Sequence, residues 1–72
     1  MKLDYYRDTD TLYIGLVDRP SVDSEEIADG IVVDYDAAGA VVGIEIDPAS
    51  KKVDLQRLQL IGLPGKVETA AA

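Results

Sequence analysis

The carboxylates are the side chains in this sequence whose spacing could support chemistry. Asp8 and Asp10 stand two positions apart in a segment of turn-forming residues, and Asp18 follows further along. Carboxylate oxygens spaced in this way can bind Ca²⁺ or Mg²⁺. Asp is also a good turn residue, because its side chain accepts hydrogen bonds from nearby backbone amides. We expect Asp8 and Asp10 to serve as turn residues, and we predict that the protein binds no metal and no cofactor. If a metal does bind, Asp8 and Asp10 are the candidate ligands.

A second group of acids lies in the middle of the chain, at Asp34, Asp36 and Glu45. If the intervening loop closes a regular hairpin, Asp34 and Glu45 lie near each other on the same outward face. Like charges that face each other across a strand pair are destabilising. Three interpretations follow: an acid/base pair with one raised pKa, a cation supplied by Lys51, Lys52 or a partner, or a solvated acidic surface.

The same outward face carries aromatic and aliphatic side chains among its acids. Such a mixture is typical of an interface, and glycines there would let another backbone approach closely. The alternative is that a C-terminal helix of the same chain covers this face. We predict no catalytic residues, and the predicted partner-binding residues are Tyr6, Tyr13, Asp34, Asp36 and Glu45.

The composition excludes several classes of function. The 72 residues include no His, Cys or Trp, so the chain cannot form a Ser-His-Asp triad, a Cys nucleophile, a disulfide or an ordinary zinc site. We therefore expect a protein that is not an enzyme. The net charge of −7 disfavours direct binding to nucleic acid or to an anionic membrane and favours a basic protein partner. No membrane span or signal peptide is evident, which predicts a cytoplasmic protein.

The chain is also short for a stable monomer. At this length, apolar burial and the entropy cost of ordering nearly cancel, at roughly 100 kcal/mol each. Small domains usually need a disulfide, a metal or a partner to shift that balance. Because the first two are not expected here, we predict a homodimer or a complex with a basic protein.

Hydrophobic alternation with a period of two predicts four strands, near residues 2–7, 11–17, 31–36 and 41–46. The links at 8–10 and 37–39 are rich in turn formers, so the strands are predicted to form two hairpins. The predicted core consists of the inward side chains of these strands: Leu3, Tyr5, Leu12, Ile14, Leu16, Ile31, Val33, Tyr35, Val42, Ile44 and Ile46.

Two other segments are less regular. Residues 24–27 are predicted as a charged edge strand, and Asp29-Gly30 fits either a type I′ turn or a bulge. Asp47-Pro48 fits a helix N-cap followed by proline at the first helical position, which predicts a helix over about 48–60. The predicted fold is therefore α+β: an antiparallel sheet of four to five strands from two hairpins, with a short C-terminal helix packed on one face. We expect one domain over 1–62 and a flexible tail over 63–72.

The ordered motifs of the chain resemble a family of small prokaryotic proteins known as domain of unknown function twenty-two eighty-three. The resemblance covers about residues 2 to 52 and implies a small, mostly antiparallel β domain without an established activity. Members usually carry Asp directly after the first Tyr, where this chain has Tyr6. Some members are encoded beside small toxin-like proteins, which implies an antitoxin-like role. The motifs that carry the resemblance are Tyr5, Asp10-x-Leu12-Tyr13-Ile14, Ile27 to Asp36, Gly39, Val42 to Ile46, and Ala49-Ser50-Lys51.

These observations lead to three hypotheses about function. The first is a small acidic interaction domain that binds a basic protein partner, in an antitoxin-like manner. The second is a carboxylate-based divalent-metal site or hydrolase. The third is a purely structural homodimer without a ligand.

Overall fold

A computed structural model describes residues 1–70. The described chain forms a five-stranded antiparallel sheet with strand order β1-β2-β5-β4-β3, followed by one short helix, in agreement with the α+β class. No helix in this part of the chain is long and apolar enough to span a membrane. The elements are β1 (Lys2–Tyr6), β2 (Thr11–Gly15), β3 (Asp23–Ala28), β4 (Ile31–Tyr35), β5 (Val41–Ile46) and α1 (Ala49–Lys52).

The strands are connected as one hairpin and one meander. β1 pairs with β2, while β3, β4 and β5 pair in succession. The pairing of β2 with β5 joins the two parts and places Leu12 opposite Ile46 and Ile14 opposite Ile44. This register aligns the apolar side chains of both parts on one side of the sheet, because side chains of a strand alternate between its faces.

We call this side the apolar face. Eight of its side chains form two adjacent cross-strand rows, and Tyr35 and Val42 lie beyond the ends of these rows. Within it only Val33, Val42 and Ile46 are buried, whereas Leu3 and Tyr5 on the outer strand β1 are each 42% exposed. The predicted core residues therefore share a face that is only partly covered. Its members are Leu3, Tyr5, Leu12, Ile14, Ile31, Val33, Tyr35, Val42, Ile44 and Ile46, with Leu16 directly after β2.

The link between β3 and β4 combines a tight turn with a bulge. Gly30 has a φ of +77°, but Asp29 does not have a positive φ, so a type I′ turn is not formed. The register shifts by one residue between Glu26 and Ala28, which marks the bulge. A side chain at position 30 would collide with the backbone oxygen of Asp47, so glycine is needed there for both its conformation and its size.

The predicted helix over 48–60 is wrong in length. Helix α1 spans only Ala49–Lys52, and Val53 already has extended backbone angles. The physical reason is visible in the sequence, since the apolar residues after position 52 do not fall on one helical stripe. Residues 53–70 contain no helix or strand. The expected boundary at 62 lies within this segment, and the prediction for positions 71 and 72 lies outside the described residues.

The predicted N-cap is also wrong. Pro48 occupies the N-cap position after a cis Asp47–Pro48 bond, and no side chain of the cap residue bonds to the helix. Instead, the backbone oxygen of Asp10 accepts a hydrogen bond from the Ala49 amide at 2.8 Å. Ala49 is fully buried. The helix is therefore attached beside the start of β2 through Asp10.

Candidate functional site on the polar face

The opposite side of the sheet, which we call the polar face, is organised by strand register into two rows. In the first, Val32 lies between Glu26 and Glu45. In the second, Asp34 lies opposite Gly43. The acids of three neighbouring strands therefore project from the same face. The full rows are Glu26–Val32–Glu45–Tyr13–Asp4 and Ser24–Asp34–Gly43–Gly15–Lys2.

The ring of Tyr13 fills the space that two glycines leave open. Gly43 and Gly15 face each other across β2 and β5. A Cβ atom built on Gly43 would lie 2.8 Å from the Tyr13 Cζ atom, and one on Gly15 would lie 3.3 Å from Cε2. The tyrosine of the chain itself, rather than a helix, therefore covers this part of the polar face. Any side chain at position 43 would displace the ring.

Asp34 and Glu45 form a pair of neighbouring carboxyl groups, diagonal to each other across β4 and β5. Burial raises the pKa of Glu45, and the charge of Asp34 and a hydrogen bond to it raise the pKa further. Asp34 is only 8% exposed. Apart from this contact with Glu45, no ion pair of residues 1–70 involves the Asp34 carboxylate.

Beside this pair lies an open hollow of about 380 Å³. The Lys52 side chain lies near the hollow: its Cε atom would be 2.7 Å from a Cβ atom built on Gly30. The two ion pairs of the described residues, Lys2–Asp4 and Arg19–Asp36, do not include any acid that lines the hollow. Within residues 1–70, the acids that line the hollow therefore form no ion pair with a Lys or Arg side chain. Its lining residues are Thr11, Glu26, Asp29, Gly30, Val32, Glu45 and Asp47.

The structure brings together Tyr13, Asp34 and Glu45 but separates the other two predicted partner-binding residues from them. Tyr6 ends the outer strand β1 and is 51% exposed. Asp36 lies directly after the end of β4, so the alternation of side chains along the strand no longer assigns it to a face of the sheet. Its Oδ1 accepts hydrogen bonds from the amides of Ala38 and Ala40, each at 2.9 Å.

An ion pair of 3.0 Å links Asp36 to Arg19. The Ala40 amide is the main cause that lowers the pKa of Asp36. In this position the carboxylate stabilises the loop between β4 and β5.

The candidate metal ligands also have local roles. Asp8 accepts a hydrogen bond from the Thr9 amide at 3.1 Å. Asp10 has a φ of +55° and accepts hydrogen bonds from the hydroxyls of Tyr5 and Ser50. No group of three or more metal-ligating side chains suited to a metal ion occurs among the described residues. The Asp8–Asp10 segment forms a turn, and Asp10 also anchors α1 through its hydrogen bonds with Ser50.

Sequence reasoning missed three acids of the hollow, Glu26, Asp29 and Asp47. Glu26 could have been found from the register of the β3–β4 hairpin, which places it in the same row as Glu45 with Val32 of β4 between them. Asp47 had no such signal, because it reaches the site through the contact of its amide with the Gly30 oxygen, at 2.9 Å.

Comparison with known proteins gives a family but no activity. Residues 2–50 match the family described as "Protein of unknown function (DUF2283)". The chain belongs to this family. The matched segment contains all five strands and ends at Ser50, so the DUF2283 region includes the contact between Asp10 and the helix. No curated protein and no solved structure matches the chain.

Proposed function

We propose that this protein is an interaction domain that binds a basic segment of another protein at the acidic hollow of the polar face. One observation carries the proposal: the Glu45 carboxyl lies beside Asp34 and lines an open hollow where no cation of residues 1–70 forms an ion pair. Neutralisation of a small basic toxin-like protein is the form of this function that the family resemblance suggests.

The electrostatics of the site favour a cationic side chain over a neutral one. Burial raises the pKa of Glu45, and the neighbouring charge of Asp34 raises it further, so the ionised form of Glu45 is disfavoured in the unbound protein. A Lys or Arg side chain placed between Glu45 and Glu26 would relieve this repulsion and form charge-assisted hydrogen bonds. The net charge of −7 of the whole chain would increase the rate of encounter with a basic partner.

The geometry also limits what can enter. The hollow is open to solvent, is bordered by strand residues and the turn at Gly30, and has the volume to accept one or two long side chains rather than a folded element. A flexible basic segment that lies across β4 and β5 would reach Glu26, Glu45 and Asp47 together.

The test uses a fluorescently labelled peptide of about ten residues rich in Lys and Arg as the probe. We expect saturable binding by fluorescence anisotropy that weakens as salt concentration rises. The double variant Glu26→Gln, Glu45→Gln should weaken binding by at least about fivefold, because it removes two of the charges that line the hollow.

The matched control is the double variant Asp18→Asn, Glu68→Gln. It changes the net charge by the same amount, and neither residue lines the hollow. This control should bind nearly as well as the wild type. Equal losses in the two double variants, or no saturable binding by the wild type at low salt, would contradict the proposal.

A further inference from the structure

The apolar face on the other side of the sheet is the largest feature that the proposed function leaves unexplained. The sheet is a single layer, and the extensive contacts between elements of the described chain run between neighbouring strands. Ile14, Ile44 and Val33 form a row across its three central strands, yet only Val33 is buried. A sheet with one apolar side is stable when another layer covers that side.

The chain exposes more surface than a compact monomer of its size is expected to expose. The chain exposes 5858 Å². A compact monomer of 7.7 kDa is expected to expose about 4,300 Å². The surplus of about 1,500 Å² exceeds the roughly 800 Å² that each partner contributes to a stable interface. Residues 54–70 are exposed and contribute to this surplus, as do Leu3 and Tyr5 on the apolar face.

The distribution of charge indicates which partner fits. The chain has 14 acidic residues, but on the strands of the apolar face the acids are Asp23 and Glu25, both on the outer strand β3. Glu25 accepts a hydrogen bond from the Tyr35 hydroxyl at 3.3 Å. Two copies can therefore pack their central apolar rows together without bringing acids into the middle of the interface. Two polar faces could not do so.

We propose that two copies of this chain pack face to face through their apolar faces and form a homodimer. The central strand β5 would lie near the two-fold axis, with Ile44 of each copy at the centre of the interface. Sheets packed in this way lie about 10 Å apart, with interdigitated side chains. The dimer leaves both polar faces outward, so this inference does not depend on the proposed function.

The first test is the mass of the full chain in solution, measured by sedimentation velocity over a range of concentrations. We expect twice the monomer mass of 7.7 kDa. The variant Leu3→Lys places a charge at an exposed position of the apolar face and should raise the dimer Kd at least tenfold. Tyr6→Lys is its matched control, because Tyr6 lies on the same strand, is similarly exposed and faces the other way. This control should remain dimeric.

A second pair of variants tests the surface without adding a charge. Because the chain contains no Cys, Leu3→Cys and Tyr6→Cys each create one site for an environment-sensitive fluorophore. With increasing protein concentration, the label at position 3 should become buried and the label at position 6 should not. A wild type that stays monomeric at 100 μM (about 0.8 mg/ml), or burial of only the position 6 label, would overturn the proposal.

Discussion

Ser50 donates two hydrogen bonds to the carboxylate of Asp10, which precedes it by 40 positions in the chain. The hydroxyl bonds to Oδ2 at 2.6 Å, and the amide bonds to Oδ1 at 3.0 Å. The Tyr5 hydroxyl donates a third bond to Oδ1 at 2.8 Å. The carboxylate of Asp10 thus caps the N-terminus of α1, although the two are far apart in the sequence. This role usually belongs to the N-cap residue directly before the helix.

Removal of this carboxylate should destabilise the whole fold. We expect Tyr5→Phe and Ser50→Ala each to lower the Tm by a few degrees, about 5 °C. Asp10→Ala should lower it by more than either, because it removes all three side-chain hydrogen bonds at once. The Tm values of the three variants can be compared by thermal unfolding monitored with circular dichroism. Ser24→Ala removes a hydroxyl of β3 and is the control. An Asp10→Ala variant as stable as Ser24→Ala would contradict this role.

The stability of the protein should fall in acid, partly because of Asp10. The Ser50 hydroxyl is the largest cause that lowers the pKa of Asp10 in the folded state, although burial opposes the shift. A carboxyl with a lowered folded pKa stabilises the fold above its unfolded pKa, and this contribution is lost as pH falls through the folded pKa. The Tm difference between wild type and Asp10→Asn should therefore narrow from pH 7 to pH 2. A constant difference across that range would refute the linkage.

Glu45 should show the opposite dependence on pH. Burial and the neighbouring Asp34 raise its folded pKa, so the folded state binds the proton more tightly than the unfolded state. Stability from this group is complete below the unfolded pKa and decreases as pH rises through the folded pKa.

Glu45→Gln should therefore stabilise the protein at pH 7 by a few tenths to about 1 kcal/mol, and the gain should disappear near pH 3. Chemical denaturation at the two pH values measures this. The variant Asp34→Asn should return the pKa of Glu45 toward its ordinary value, as followed by NMR of the carboxyl carbon. An unchanged pKa in that variant would show that the pair is not coupled.

Two glycines with similar backbone angles should respond very differently to alanine. Gly30 and Gly39 have φ values of +77° and +83°, so both substitutions incur about 1 kcal/mol of backbone strain. At Gly39 nothing lies within 4 Å of the new Cβ, whereas at Gly30 the Cβ would meet the backbone oxygen of Asp47. We expect Gly39→Ala to cost about 1 kcal/mol and Gly30→Ala about 2–4 kcal/mol in the free energy of unfolding. Equal costs would show that the contact with Asp47 is not tight.

Much of the sheet could be predicted from the sequence because strand periodicity is a local signal. The alternation of Leu12, Ile14, Val42, Ile44 and Ile46 identifies both the strands and the face they share. The sequence was less informative after position 46. Asp47-Pro48 resembles a helix start, but the helix that follows has one turn, because the later apolar residues do not form a stripe for the sheet to bury.

The candidate site was predictable only in part for the same reason. The proximity of Asp34 and Glu45 follows from hairpin register, which adjacent residues determine. The pairing of β2 with β5 cannot be predicted in this way, because it joins segments that are about 30 residues apart in the chain. This pairing places the Tyr13 ring over Gly43.

The amino-acid sequence by itself determined the type of protein: a small acidic β domain without thiol or imidazole chemistry, with one apolar and one polar side to its sheet. Only the tertiary structure decided what the acids do. Asp10 caps the helix, Asp36 closes a loop, and Glu45 is left facing Asp34 beside an open hollow. The physical reason is that all carboxylates have the same chemistry. The role of each one depends on which hydrogen-bond donors the long-range strand pairing brings within reach.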